Sequence, residues 1–303
     1  MIPPGATVRA IADSLQAHGI IRSPWWFRVL AKVEGKERAL QQGAYALRRD
    51  AGSRAALDAL ASGRAILQRL TVPEGFTLLD IAHLVERTLA VPRDRFLAAA
   101  RDTGLLREFG IPGSSFEGFL RPETYLVAPG LDATRLVRVM ATAFASDWEP
   151  RWDTLMQDQG LDRRTVVILA SIVETEAKLD HERPLIAAVY RNRIRLGMPL
   201  QADATVQYAL QLETGVRKPR LYEKDYGFPS PYNTYLHPGL PPGPVGAPGR
   251  RSIEAVLAPA AAPWLYYVAR PDGSHIFSRT YRDHLRAVQA ARAARRAGNG
   301  PDG

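Results

Sequence analysis

Two stretches of this chain follow one local plan, and that repetition constrains the fold more than composition does. "IPPGATVRAIADSL" at 2–15 and "VPEGFTLLDIAHLV" at 72–85 share the pattern aliphatic-Pro-x-Gly-x-Thr-aliphatic-x-x-Ile-Ala. In each copy Pro and Gly shape a turn, Thr is placed to cap, and an amphipathic helix follows. Between the copies, "LQQGAYALRRDAGSRAALDALASG" (40–63) reads as a short strand and then a helix, which makes a small α+β unit.

Such a strand–turn–helix start resembles the opening of LysM carbohydrate-binding modules; a generic βα unit is the alternative. Further on, Leu136, Met140, Phe144 and Trp148 recur at four-residue spacing and predict one buried stripe. Asp162 is placed to cap a helix that ends near Lys178–Asp180. A second helix fits 182–196, with Pro184 in its first turn and Gly197 as its C-cap. Asp203 is expected to cap a third, short one. After the Pro/Gly-rich run 226–251, "WLYYVARPDGSHIFS" (264–278) predicts a hairpin with a Pro-Asp-Gly turn, and a basic helix follows.

The chemistry is narrowed by what is missing. There is no cysteine, so thiolate metal sites and disulfides are excluded. His181-Glu182 has no second histidine at zincin spacing, "GSSFEG" (113–118) is not a nucleophile elbow, and no phosphate-binding glycine pattern occurs. Neither a metal nor a cofactor is therefore expected. A net charge of +9 favours an anionic partner: nucleic acid, an anionic membrane surface or an acidic polymer. Stacking aromatics within a basic motif are lacking, so nucleic acid is not expected. No apolar run of about 18 residues exists to span a bilayer.

Carboxylates remain. "ILASIVETEAKLD" (168–180) is an apolar helix that carries Glu174 and Glu176. Residues two apart point about 200° away from each other, so the two acids cannot act as one local pair. Glu174 shares its face with the small residues Ala170, Ser171 and Ala177; Glu176 shares its face with Leu169, Ile172 and Val173. Small neighbours leave room for a ligand, which favours Glu174 for chemistry and a structural role for Glu176. Pairing of Glu174 with Lys178 is the bland alternative. Glu117 in "FEGFL" is a further acid, expected to brace the fold.

Six segments in order carry a wider resemblance: "LTVPEGFTLLDIA" (70–82), "FEGFLRPETY" (116–125), "LASIVETEA" (169–177), "VYRNRIRLGMPLQADATVQYAL" (189–210), "SPYNTYLHPGLPPGPVGAPGRRSIEAVLAP" (230–259) and "YYVARPDGSHIFSRTYRDH" (266–284). Together they resemble the endolytic murein transglycosylases, the YceG-like family. The resemblance implies cleavage of peptidoglycan glycan strands between N-acetylmuramic acid and N-acetylglucosamine, with 1,6-anhydro ends left behind. It assigns catalysis to the glutamate ending "ASIVE", Glu174. It also implies a body facing the periplasm, held to the inner membrane by an N-terminal anchor upstream of this sequence, and association with peptidoglycan synthases.

"LQADAT" and "SPYNTY" resemble the family's cleft segments. Gln201, Asp203, Thr205, Ser230, Asn233 and Thr234 would then bind sugar hydroxyls and acetamido groups, and Tyr232 and Tyr235 would stack on sugar rings. Capping for Asp203 and loop bracing for Asn233 and Thr234 are the structural alternatives. The expected fold is α+β: LysM-like units at 1–68 and 69–110, then a mainly helical, lysozyme-like catalytic domain at 111–295 with a C-terminal β-hairpin, and a frayed tail at 296–303. A non-catalytic peptidoglycan-binding scaffold is the rival reading.

Overall fold

The computed structural model describes residues 2–3, 5–63 and 66–298. The fold is α+β. In chain order it runs α1 (Val8–Ala17), α2 (Pro24–Val33), α3 (Ser53–Ala61), β1 (Gln68–Thr71), α4 (Leu78–Leu89), α5 (Arg93–Ala99), α6 (Thr103–Glu108) and β2 (Thr124–Val127). Then come α7 (Ala133–Asp147), α8 (Pro150–Asp158), α9 (Arg163–Glu176), α10 (Arg183–Arg195), α11 (Asp203–Thr214), α12 (Arg250–Leu257), β3 (Tyr266–Ala269), β4 (His275–Ser278) and α13 (Tyr281–Gly298). Strand β1 pairs with β2, and β3 with β4.

Residues divide into two compact units: 1–70, 86–91 and 124–132 form one, and 71–85, 92–123 and 133–303 the other. These units do not follow the consecutive division at 68 and 110 expected from the sequence. The chain leaves the first unit and returns to it twice. Of the frayed tail expected at 296–303, residues 296–298 still belong to α13, and residues 299–303 lie outside the described residues.

The sequence repeat is a real local device. Gly5 and Gly75 both adopt positive φ (72° and 76°), the region that glycine enters without steric cost. Thr7 Oγ1 accepts from Ala10 N at 3.2 Å. Thr77 Oγ1 accepts from Asp80 N at 3.2 Å while Asp80 Oδ2 accepts from Thr77 N at 3.0 Å, a reciprocal capping box. In the second copy the next free helix donor, Leu78 N, reaches both oxygens of the buried Glu117 at 3.1 Å. In the first unit, Ile2 bridges Gly43, and α1, α2 and α3 close over a core of Ile11, Leu15, Phe27, Leu57 and Leu60.

The second unit is organised around α9. Asp162 caps it as expected, accepting from Thr165 N at 2.7 Å. Val166 to Val173 are then buried without a break, so this helix has no solvent face until its last turn. Helices α10, α11 and α12 pack on it. The α7 stripe is buried as the spacing predicts: Leu136, Met140, Phe144 and Trp148. Strands β3 and β4 form the expected antiparallel hairpin, Tyr266 opposite Ser278 and Ala269 opposite His275.

Gly118 (φ 80°) shows how tightly the second unit closes, because a Cβ there would sit 2.5 Å from Pro244 Cβ. Gly118→Ala is expected to cost about 2 kcal/mol or more, from strain and overpacking together. Gly110 has a similar φ (62°) but open space around it, so Gly110→Ala should cost no more than about 1 kcal/mol. Equal losses in chemical denaturation of the two variants would contradict this account of the packing.

Candidate active site

Where α9 emerges from the core, its last turn delivers two carboxyl groups to two different places. Glu174 turns toward the start of α10 and α12. Its Oε1 lies 2.9 Å from Arg183 Nη1 and its Oε2 accepts from Gly249 N at 2.8 Å. Its side chain is only 6% exposed. Both oxygens are thus already engaged as acceptors, in a buried ion pair. The ion-pair partner of Glu174 is Arg183 rather than Lys178, the alternative considered from the sequence, and Glu174 is not among the residues that line the cavity described next.

Glu176 faces the other way, into a cavity of about 330 Å³ that it lines with Asp203, Gln201 and Tyr235. Tyr190 and Arg193 of α10, Tyr267 of β3 and His284 of α13 line it too. Burial pushes the Glu176 carboxyl up to about 7, and the charge of Asp203 adds to the rise; the Tyr267 hydroxyl, the Lys178 charge and the Ala204 N–H pull against it. The Ala204 N–H is one of the unpaired donors in the first turn of α11. The Tyr267 hydroxyl, 2.6 Å from that of Tyr190, holds Glu176 from the side. The sequence favoured a structural role for Glu176 because its helical face is shared with Leu169, Ile172 and Val173; those three are buried, yet Glu176 itself lines the cavity.

Asp203 is not the cap it was expected to be. Helix α11 starts at Asp203 itself, with Ala202 as N-cap and no side-chain cap bond. Instead, Asp203 Oδ1 accepts from the Tyr235 hydroxyl at 2.6 Å and Oδ2 from the Tyr226 hydroxyl at 3.5 Å. Two phenols therefore fix a negative charge beside Glu176. Gln201, preceding α11, has φ 51°. A left-handed non-glycine residue costs about 1 kcal/mol or more and persists only where its surroundings impose it. Here Gln201 N donates to Thr234 O at 3.2 Å, which keeps the side chain at the cavity rim.

Of the other residues expected to bind sugar, Thr205, Asn233 and Thr234 are buried braces. Thr234 Oγ1 accepts from Ala202 N at 3.0 Å and lies 2.9 Å from Thr205 Oγ1, whose own hydroxyl lies 2.7 Å from Ala202 O. Asn233 Nδ2 donates to Tyr226 O and Phe228 O at 2.9 and 2.8 Å, and its Oδ1 accepts from Tyr235 N at 3.0 Å. These bonds fix the Tyr226 and Tyr235 loop that grips Asp203. Ser230 Oγ accepts from Tyr232 N, and Tyr232 packs on Tyr208 at 4.8 Å, away from the cavity.

Arg193, missed from the sequence, is pinned by carbonyls: Nε to Leu265 O at 2.7 Å and Nη1 to Leu200 O at 2.8 Å, with its guanidinium 5.1 Å from the Tyr266 ring. Tyr190 and Arg193 lie in a segment that the sequence singled out, but nothing in their spacing told which way they point. Glu117 is sealed: besides Leu78 N it accepts from the Tyr208 hydroxyl at 2.9 Å, and burial pushes it up to about 7 as well. Its role is the bracing expected of it.

The YceG-like family model matches residues 1–290. The chain belongs to the YceG-like family. A relative from Bacillus subtilis (strain 168), named endolytic murein transglycosylase, is 31% identical over 304 residues, taking in 95% of this chain and 83% of the relative. Another of that name, from Streptococcus pneumoniae serotype 2 (strain D39 / NCTC 7466), is 29% identical over 315 residues; the match takes in 95% of this chain and 57% of that longer protein. The crystal structure of a putative YceG-like protein from Listeria monocytogenes superimposes with a TM-score of 0.67 at 27% identity, covering 94% of this chain and 97% of that one.

The two glutamates should separate cleanly in experiment. Glu174→Gln removes one of the two carboxylates paired with the Arg183 guanidinium, the other being Asp180, and is expected to cost about 2 kcal/mol of stability. Glu176→Gln should leave the melting temperature at pH 8 unchanged or raised, because it removes a carboxyl that burial and Asp203 both oppose ionising. The folded protein holds that proton to about pH 7, so Glu176 favours folding at acid pH and that contribution is lost as pH rises through about 7. Thermal melts of both variants from pH 5 to 8 would expose an error in this assignment.

Proposed function

We propose that this chain is a peptidoglycan lytic transglycosylase that cuts within glycan strands, with Glu176 as its general acid and then its base. The observation that carries the reading is a carboxyl on the wall of a polar cavity, Glu176, that burial and the neighbouring Asp203 push up to about 7. The names of the relatives from B. subtilis and S. pneumoniae support the substrate class. The outer face of the inner membrane as the working address, trimming of nascent strands and association with peptidoglycan synthases belong to the same proposal.

Hydrolytic glycosidases use two carboxyl groups, one as acid and one as nucleophile or base. The second carboxyl here, Asp203, has both oxygens occupied by tyrosine hydroxyls, so it serves as a fixed charge that keeps the proton on its neighbour. One mobile carboxyl is sufficient when the substrate brings its own nucleophile. Glu176 gives its proton to the glycosidic oxygen as the bond from that oxygen to C1 of the muramic acid breaks. The oxygen of the C6 hydroxyl then bonds to C1, and its proton passes to the ionised Glu176, which restores the enzyme. Closing a ring within one sugar avoids the cost of bringing in a second reactant. Tyr267, backed by Tyr190, and the first turn of α11 hold the carboxyl in place through both transfers.

Glu176→Gln is expected to lower release of 1,6-anhydro-ended muropeptides from purified sacculi by about 10³-fold, within the range general acids supply; mass spectrometry of the digest reads it directly. Activity at the wild-type level would remove Glu176 from the mechanism, and products ending in reducing sugars would remove the intramolecular step. In the pH profile, kcat/KM should fall as pH rises through about 7, where Glu176 loses its proton. Asp203→Asn takes away the neighbouring charge, so this alkaline limb should move to lower pH. Glu117→Gln should leave the limb where it is, although Glu117 is also pushed up to about 7.

A further inference from the structure

Helix α2 carries an exposed face that the first unit does not use. Phe27 and Ala31 point into the core beneath it and are fully buried. At about 100° per residue, the opposite arc runs through Arg28, Lys32, Trp25, Val29, Val33 and Trp26. Trp25, Trp26 and Val33 are 64%, 51% and 79% exposed, and Arg28 and Lys32 are exposed along one edge. The two indoles lie 6.3 Å apart, tilted by 32°. Helix α2, "PWWFRVLAKV", contains no acidic residue. The nearest acid in sequence, Glu34 at its C-cap, is bridged to Lys36 and Arg54 at 2.8 and 2.7 Å. Arg22 just ahead of the helix stands 3.8 Å from Asp50.

Exposed large apolar side chains scattered singly need no explanation, but two adjacent tryptophans in line with two valines do. We infer that this face of α2 docks on a lipid bilayer bearing anionic headgroups. An indole is apolar in body and carries one N–H donor, the combination enriched at the headgroup level of membranes. The arrangement is that of a helix lying in the interface plane, its apolar arc turned to the acyl boundary and its basic edge among the phosphates. Charge chooses this occupant over others: the arc bears positive charge and no negative charge, in a chain of net charge +9. Among the described residues no helix is long and apolar enough to cross a membrane. It is independent of the transglycosylase reading.

The test is co-sedimentation of the whole chain with vesicles of phosphatidylglycerol and phosphatidylethanolamine, against vesicles of phosphatidylcholine alone. Binding to the anionic vesicles is expected, weakening as salt rises. Trp25→Ser with Trp26→Ser, and separately Arg28→Glu with Lys32→Glu, should each weaken partition at least tenfold. Arg282→Glu with Arg292→Glu on α13 makes the same change in net charge at another exposed place and should alter partition less than twofold. All these positions are at the surface, and unchanged melting curves would confirm that the variants fold. No binding to anionic vesicles, equal binding to neutral ones, or an equal loss in the α13 variant would overturn the inference. So would a Trp-pair variant that keeps its vesicle binding, including one that loses binding to purified glycan strands or loses self-association by light scattering instead.

Discussion

Helix α9 is buried on every side over eight residues, and the rest of the catalytic unit is built to cover it. A helix enclosed in this way can present chemistry only where it ends. Its last turn carries two carboxyl groups about 200° apart, so each must be met by a different part of the surroundings. Helix α10 serves both. Arg183 in its first turn meets Glu174, and Tyr190, two turns on, backs the hydroxyl that holds Glu176. The opposite fates of two acids in one short motif follow from that single geometric fact.

Electrostatics then divides the labour. Glu174 is neutralised by a guanidinium and a backbone N–H, which ties α9 to α10 and to the start of α12. Burial of Glu176 and a neighbouring negative charge together outweigh the phenol and the amide that favour its ionised form, and leave the proton in place near neutrality. A raised pKa alone would not mark the site, because Glu117 is pushed up to the same value. What separates them is access. Glu117 is closed by Leu78, Tyr208 and the start of α4, whereas Glu176 opens on the cavity. Around that cavity the polar loop residues act at one remove: Asn233, Thr234 and Thr205 spend their hydrogen bonds on the backbone that grips Asp203.

Much of the architecture was legible in the residues. Period and capping chemistry placed α7, α9, α10 and the hairpin, because each depends on neighbours within a turn or two. The Thr-capped repeat foretold two real helix starts for the same reason. The division into units was not legible, since residues 86–91 and 124–132 join the first unit through long-range packing that has no local signature. The site was half legible. Gln201, Asp203 and Tyr235 do line the cavity, and "ETE" supplies the glutamate that faces it, whereas small neighbours on the helix pointed to Glu174, which the fold engages with Arg183 and Gly249 instead.

The sequence by itself determined that the last turn of α9 carries two acids that cannot cooperate and that no thiolate chemistry is open to the chain; the family resemblance pointed to the loops around 201–205 and 230–235. Only the tertiary structure decided which acid is free. Arg183, Gly249, Tyr267 and Ala204 come to the two glutamates from other elements, and charge, donor count and solvent access at a carboxyl are sums over whatever folding brings within a few ångströms.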